Sequence, residues 1–246
     1  MRAPVDLPTR ETASFVMSHL PAGVSLLEIG CGEGHLAGHL RDAGYRVIGL
    51  ESDLGRARLT FARGVPSALA AWPRFESLPF DAIAFTRSLH HIDPLPESVL
   101  QANALLKPGG VLLLEDFAVD EVTPTDLEWF RGVVRSRTAR ALFVPAPDEL
   151  VSQLLDAENP FALWSERHDH VHPFARIESE VREAFTIGQV SMVPYFYRYL
   201  VYVLPPFSDA GAAFIETVFD EESRLVAKGA IVGLGRRIVG SPLRRS

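Results

Sequence analysis

The sequence predicts an α/β fold, a mostly parallel sheet with helices on both faces. Three observations carry this. Between residues 24 and 116, short apolar runs alternate with segments of helical length. The apolar runs, VSLLEI, RVIGLE, FDAIAF and VLLLE, are near-continuous rather than alternating, as expected of strands covered on both faces. Glycines close the intervening helical segments, at Gly44 and Gly64, where a left-handed cap is needed.

Taken in order, Thr9–Leu20 is expected to be a helix capped by Thr9 and stopped by Pro21. Val24–Ile29 is the first strand, His35–Ala43 a helix, Arg46–Glu51 the second strand and Leu54–Arg63 a helix. Val65–Ala71 is a weaker strand; Pro66 cannot donate to a ladder, which sends this strand to the sheet edge. Phe80–Phe85 is the fourth strand and Pro94–Leu106 a helix, and Lys107–Gly110 forms a tight turn into Val111–Glu115. Alternation of this kind implies right-handed crossovers and parallel pairing.

After Asp116 the alternation stops. Thr125–Leu142 and Pro147–Ala157 are expected as helices, Glu166–Pro173 as a polar connector and Phe174–Phe185 as a helix. Ile187–Val193 is a sixth strand candidate, Ser208–Lys228 a long helix capped by Gly229, and Ile231–Val239 the last strand. Residues 1–246 are expected to form a single domain, with 117–185 as a helical lid or insertion, because that stretch lacks a strong core pattern of its own.

A 47% hydrophobic composition supplies a sizeable core, so global disorder is excluded. The net charge of −7 argues against a nucleic-acid partner, which needs clustered basic charge. No apolar run reaches the roughly 20 residues of a membrane span, and the N-terminus lacks the apolar core of a secretory signal. The single cysteine, Cys31, excludes an intrachain disulfide and a cysteine-rich zinc site, so a reducing cytoplasm is the expected compartment. A monomer or a homodimer is expected.

The turn Glu28-Ile29-Gly30-Cys31-Gly32-Glu33-Gly34 stands where the first strand passes into a helix. That is where open α/β sheets bind ligands, and glycines let the backbone approach closely. The dinucleotide spacing G-x-G-x-x-G requires a glycine where this chain has His35, so a nicotinamide-dependent oxidoreductase fails on spacing. Glu28 would repel phosphates there and attract a cation or an amino group. Glu51, about 20 residues beyond the turn at the end of the second strand, can accept hydrogen bonds from a ribose diol. The two acids together describe a nucleoside with an amino-bearing or positive tail, as S-adenosylmethionine is.

Four segments, LLEIGCGEG (26–34), VIGLESD (47–53), FDAIAFTRSLHHI (80–92) and LLKPGGVLLLED (105–116), resemble class I S-adenosylmethionine-dependent methyltransferases of the small-molecule branch, related to those of quinone biosynthesis. The resemblance implies a Rossmann-like, seven-stranded, mostly parallel sheet of order 3-2-1-4-5-7-6 with strand seven antiparallel. It also implies methyl transfer from S-adenosylmethionine to a small-molecule acceptor at oxygen, nitrogen or carbon. Glu28, Gly30, Cys31 and Gly32 then belong to the methionine end of the cofactor site, Glu51 to the ribose, Ser52 to the adenine, and Thr86 and Arg87 to the methionine moiety. Family members often carry an acid after strand three that contacts the adenine amino group. Here Ala71 or Trp72 stands in its place, so Trp72 is a candidate wall for the adenine. That departure leaves a second reading open, a methyltransferase-like cofactor-binding or regulatory protein without turnover.

For the chemistry, His90 and His91 follow the fourth strand and are the candidate catalytic residues, because histidine titrates near neutral pH. His90 is expected to face the substrate, and His91 to orient the loop or help bind. His168, His170 and His172 would share one face of an extended segment, but no further ligand set accompanies them, and no metal is expected. Tyr195, Phe196, Tyr197, Tyr199 and Tyr202 are read mainly as packing, with one or two free to wall an apolar acceptor pocket. Arg236, Arg237, Arg244 and Arg245 are read as a solvated tail.

Overall fold

The computed structural model describes residues 1–243, so Arg244 and Arg245 of the expected tail lie outside the described residues. The strands are β1 (Ser25–Ile29), β2 (Arg46–Glu51), β3 (Ser67–Leu69), β4 (Phe80–Thr86), β5 (Leu106–Phe117), β6 (Phe185–Ile187), β7 (Ser191–Val193) and β8 (Gly235–Pro242). They form one sheet of order β3-β2-β1-β4-β5-β8-β6, with β7 bonded to β8 as an extra strand. Pairings β1–β2, β1–β4, β2–β3 and β4–β5 are parallel, and β6–β8 is antiparallel. With the last long strand counted seventh, this is the order expected from the resemblance. Pro66 precedes β3 at the sheet edge, where its missing N–H costs no ladder bond.

Two compact units are distinguished. The larger comprises Thr9–Asp116, His172–Ser191 and the residues from Arg236 onward; the other comprises Met1–Pro8, Phe117–Val171 and Met192–Gly235. In the larger unit Leu26, Leu27 and Ile29 of β1 are buried, as are Ala82, Ile83, Ala84 and Phe85 of β4. Each large apolar side chain so buried contributes roughly 1.5–3 kcal/mol. Helix α2 (His35–Asp42) starts from Gly34, whose φ of 77° is left-handed, and buries Leu36, Ala37 and Leu40. Helix α3 (Leu54–Ala62) is capped by the Asp53 carboxylate, which accepts the Arg56 N–H at 2.8 Å. Helices α4 (Leu95–Ala104) and α9 (Phe174–Ala184) complete this unit's longer elements after α1 (Asp6–His19), whose first turn lies in the other unit.

The second unit is helical: α5 (Pro124–Arg135), α6 (Arg137–Leu142), α7 (Leu150–Asp156), α8 (Pro160–Arg167) and α10 (Asp209–Ala227). It has its own apolar core of Phe117, Leu127, Phe130, Val134, Leu154, Trp164, Phe196, Leu200 and Ile215 among others. Tyr195, Phe196 and Tyr197 are buried in it, and Tyr202 is exposed. The Glu222 carboxylate accepts the N–H groups of Tyr195, Phe196 and Tyr197 at 2.6, 2.9 and 3.0 Å, capping the 3₁₀ turn Phe196–Val203.

Several expected boundaries are corrected. The KPGG segment is no free turn but lies within β5, where the register to β4 shifts between Phe80 and Ala82 and Gly109 takes φ 76°. The helix expected over 125–142 breaks at Ser136, whose hydroxyl caps α6 by accepting the Ala139 N–H. Helix α8 is additional; Asn159 caps it and Pro160 occupies its first turn, where no N–H is needed. The strand expected over 187–193 is two short strands, and the last strand begins at Gly235 rather than Ile231. Arg236 and Arg237 are not a solvated tail: both belong to β8, Arg236 is buried, and the Arg237 Nε donates to Glu115 at 2.7 Å. Among the described residues no helix is long and apolar enough to cross a membrane.

Candidate active site

Sheet register brings the functional side chains together. Ile29 pairs with Leu50 on one side and Phe85 on the other, and Thr86 pairs with Glu115. The strands therefore end level, with Glu28–Gly30, Glu51, Thr86–Arg87 and Glu115–Asp116 side by side along the carboxyl edge, where α/β sheets bind ligands.

Glu28 is 2% exposed, and its Oε1 accepts the Thr86 hydroxyl at 2.9 Å. Its Oε2 is buried without a hydrogen-bond partner among the described residues. Burial pushes its carboxyl up to about 7, against the lowering influence of the Thr86 hydroxyl, the Arg87 guanidinium and the nearby Ala37 backbone N–H, whose approach is too loose to satisfy Oε2. A carboxylate oxygen left in this state is a strong attractor for an N–H donor carrying positive charge.

The turn after β1 is shaped by contacts from its neighbours. Gly30 and Gly32 both take positive φ, 71° and 57°. A Cβ at Gly30 would lie 2.5 Å from the Ser88 Cβ, whereas a Cβ at Gly32 would meet nothing within 4 Å, so the backbone there borders open space. Glu51 is buried and holds the turn: its Oε2 accepts the Gly32 N–H at 2.9 Å, and its Oε1 accepts the Ser52 and Asp53 N–H groups at 2.9 and 3.0 Å. Oε2, with one bond, retains acceptor capacity for a further hydroxyl. Ser52 is exposed beside it.

Cys31 is buried, and its thiol is pushed up to about 12, chiefly by burial and then by the Glu28 charge. It stays a thiol, a small packing residue rather than a nucleophile. Trp72 is also buried; its indole N–H donates to the Ser98 carbonyl at 3.1 Å and its ring stands edge-on to Phe85. Arg87, at φ 62°, donates to Glu115 Oε1 at 2.8 Å and to the Thr12 hydroxyl at 3.1 Å.

His90 and His91 lie in the 3₁₀ turn Leu89–His91 after β4. His90 is 5% exposed; its Nδ1 lies 2.6 Å from Asp116 Oδ1, and its backbone N–H donates to Asp116 Oδ2 at 3.2 Å. His91 is exposed, with its ring centroid 4.0 Å from that of His90. The extended run that would put three histidines on one face does not form, because 168–170 is a turn. His168 bonds the Trp164 carbonyl and the Tyr199 hydroxyl, and His172 lies 3.1 Å from Asp93. Among the described residues no group of three or more His, Cys, Asp or Glu is arranged to hold a metal.

Sequence reasoning missed Asp116, Glu115, Thr12, Ser88 and Arg237. The available signal was the acid pair Glu115-Asp116 ending an apolar strand, the same pattern that made Glu51 conspicuous.

Comparison with known proteins identifies the family. The profile of a family described as "Methyltransferase domain" matches residues 7–181, well over half of the chain. The chain belongs to the methyltransferase-domain family. A malonyl-[acyl-carrier protein] O-methyltransferase of Enterobacter lignolyticus is 30% identical over 188 residues, covering 73% of this chain and 71% of that protein. A ubiquinone biosynthesis O-methyltransferase of Pseudomonas aeruginosa is 36% identical over 105 residues, 38% of this chain and 44% of that protein, so the chain spans less than half of this second relative. Among solved structures, an S-adenosylmethionine-dependent methyltransferase of Mesorhizobium loti superposes with a TM-score of 0.57 at 15% identity, over 94% of this chain and 99% of that one, which supports the fold.

The methyltransferase depends on S-adenosylmethionine. Its carboxyl edge fits that cofactor: an unpartnered buried carboxylate oxygen at Glu28 suits the amino group, open space at Gly32 admits the ligand against backbone, and Glu51 Oε2 suits a ribose hydroxyl.

Proposed function

We propose that this methyltransferase transfers a methyl group to the oxygen of a small-molecule acceptor, with His90 as the group that faces the acceptor. The observation that carries this reading is the buried His90 ring at the same strand edge as Glu28 and Glu51, anchored through Nδ1. Both named relatives are O-methyltransferases, which favours oxygen over nitrogen or carbon.

S-adenosylmethionine supplies an electrophilic methyl group on a sulfonium. Glu28, Gly30 and Gly32 hold its amino-acid end, with Cys31 as filler in the turn; Glu51 holds the ribose, and Ser52 borders the adenine. Thr86 fixes the Glu28 carboxylate, and Arg87, paired with Glu115, would close with Thr86 over the methionine moiety. The Trp72 indole is already committed to Ser98, so its contribution is an apolar wall. Alignment of the acceptor and exclusion of water are the main catalytic tasks, and His90 adds proton removal. His91 orients the loop. Of the expected lid 117–185, only 117–171 is kept as the candidate segment for acceptor selectivity, because α9 belongs to the sheet unit; the single buried thiol suits a reducing cytoplasm.

The test is a labelled-methyl assay against a panel of hydroxylated small molecules, beside calorimetry with S-adenosylmethionine. His90→Gln should bind the cofactor as the wild type does and lose about 10²-fold or more in turnover. Undiminished turnover refutes the role of His90; absence of cofactor binding by the wild type refutes the site.

A further inference from the structure

We infer that Asp116 is the positioning residue that holds His90 as a base, and that the acceptor atom is therefore a hydroxyl that arrives protonated rather than a carboxylate. This rests on the reading of His90 as the group facing the acceptor.

Asp116 is fully buried at the end of β5, and its two oxygens grip one residue at two points, Oδ1 on the ring Nδ1 and Oδ2 on the backbone N–H of His90. The backbone bond fixes where the turn lies and the ring bond fixes how the imidazole is rotated. His172 adds a third restraint, its N–H donating to the His90 carbonyl at 2.9 Å. With Oδ2 accepting the backbone N–H and Oδ1 placed to accept from the ring, the hydrogen is assigned to Nδ1, and in the neutral ring the lone pair then sits on Nε2. The ring would take a proton at Nε2 while a buried carboxyl holds Nδ1, the arrangement that orients catalytic histidines elsewhere.

Such a device is useless to a nucleophile that is already ionised. Carboxylates lose their proton near pH 4 and need no base at neutral pH, whereas alcohols and phenols keep theirs. With a hydroxyl, the oxygen lone pair forms the O–CH₃ bond as the S–CH₃ bond breaks and its electron pair stays on sulfur. The hydroxyl proton passes to His90 Nε2 and then to solvent.

Nitrogen-15 NMR of the histidine-labelled protein, with His90→Gln for assignment and S-adenosylhomocysteine present, reads the tautomer without turnover. The expected result is an Nδ1–H, Nε2-basic ring for His90 in the wild type, lost in Asp116→Asn. An Nε2–H tautomer in the wild type overturns the role of Asp116 whatever the activity. In turnover, Asp116→Asn should lower kcat by about 10²–10⁴-fold with KM for the cofactor unchanged, and Asp116→Glu should restore part of it. Label transferred to matched hydroxyl and carboxylic-acid acceptors should resist mild alkali as methyl ethers; alkali-labile methyl esters overturn the acceptor assignment. The Nδ1–H tautomer together with undiminished turnover of His90→Gln refutes instead the base reading on which the inference rests.

Discussion

Replacing Glu28 by Gln should make the protein more stable at alkaline pH and weaker at holding its cofactor. The folded-state carboxyl is raised from 4.5 to about 7, mainly by burial. Between those values the unfolded chain has given up its proton while the folded chain still holds one, so folding binds a proton and stability declines as pH climbs. The interval amounts to roughly 3 kcal/mol, fully expressed above pH 7 and absent below about pH 4.5. Gln keeps an oxygen for the Thr86 hydroxyl but brings an amide N–H₂ that needs an acceptor, so a net gain of about 1–3 kcal/mol is expected at about pH 8. Urea unfolding of wild type and variant at about pH 4 and pH 8 gives the difference directly. Glu222, raised by burial to about 7 as well, is common to both proteins and drops out. A stability difference that does not change with pH would refute the reasoning, because only ionisation of Glu28 makes it pH-dependent. Calorimetry at about pH 8 should show the variant binding S-adenosylmethionine about 10–100-fold more weakly, the worth of one charged hydrogen bond.

Two glycine substitutions separate structural from ligand-facing roles, and a third substitution tests a buried carboxylate. Gly34→Ala places a side chain on a φ of 77° and a Cβ 2.8 Å from the Thr60 side chain; it should cost about 2 kcal/mol or more in urea unfolding. Gly32→Ala meets no neighbour, so it should cost only about 1–2 kcal/mol of backbone strain yet lower cofactor affinity clearly; wild-type affinity would contradict the open space being ligand space. Glu222→Ala orphans three buried N–H donors and should destabilise by about 3 kcal/mol or more, with loss of near-ultraviolet circular dichroism from Tyr195 and Tyr197; a cost under about 1 kcal/mol would show that water replaces the carboxylate.

What was legible in the sequence was what depends on local pattern. Strands β1, β2 and β4 and the core of β5 are apolar runs long enough, and bounded sharply enough, that no other element suits them. Glu28 and Glu51 stood out because one adjoins the glycine turn and the other ends the second strand about 20 residues further on. The rest depended on partners distant along the chain. Ser136 breaks a helical pattern because its hydroxyl caps the next helix, and Asn159 starts α8 for the same reason; neither residue interrupts hydrophobic periodicity strongly. Arg236 and Arg237 looked like a charged tail until β8 set them in the sheet, Arg237 against Glu115. The bond from Asp116 to His90 spans 26 residues and exists only because β4 and β5 pair in register.

The Glu51 carboxylate, bridging the turn after β1 to the turn after β2, has a consequence for binding kinetics. Its hydrogen bonds to Gly32, Ser52 and Asp53 give the backbone of the proposed cofactor site its shape as the sheet assembles. Immobilising a residue's backbone costs about 1–2 kcal/mol, and here folding has already absorbed that cost before a cofactor arrives. Association should therefore be a single-step encounter without a slow loop-closing phase, and the Gly32 amide should exchange its hydrogen slowly in the free enzyme as well as in the bound one.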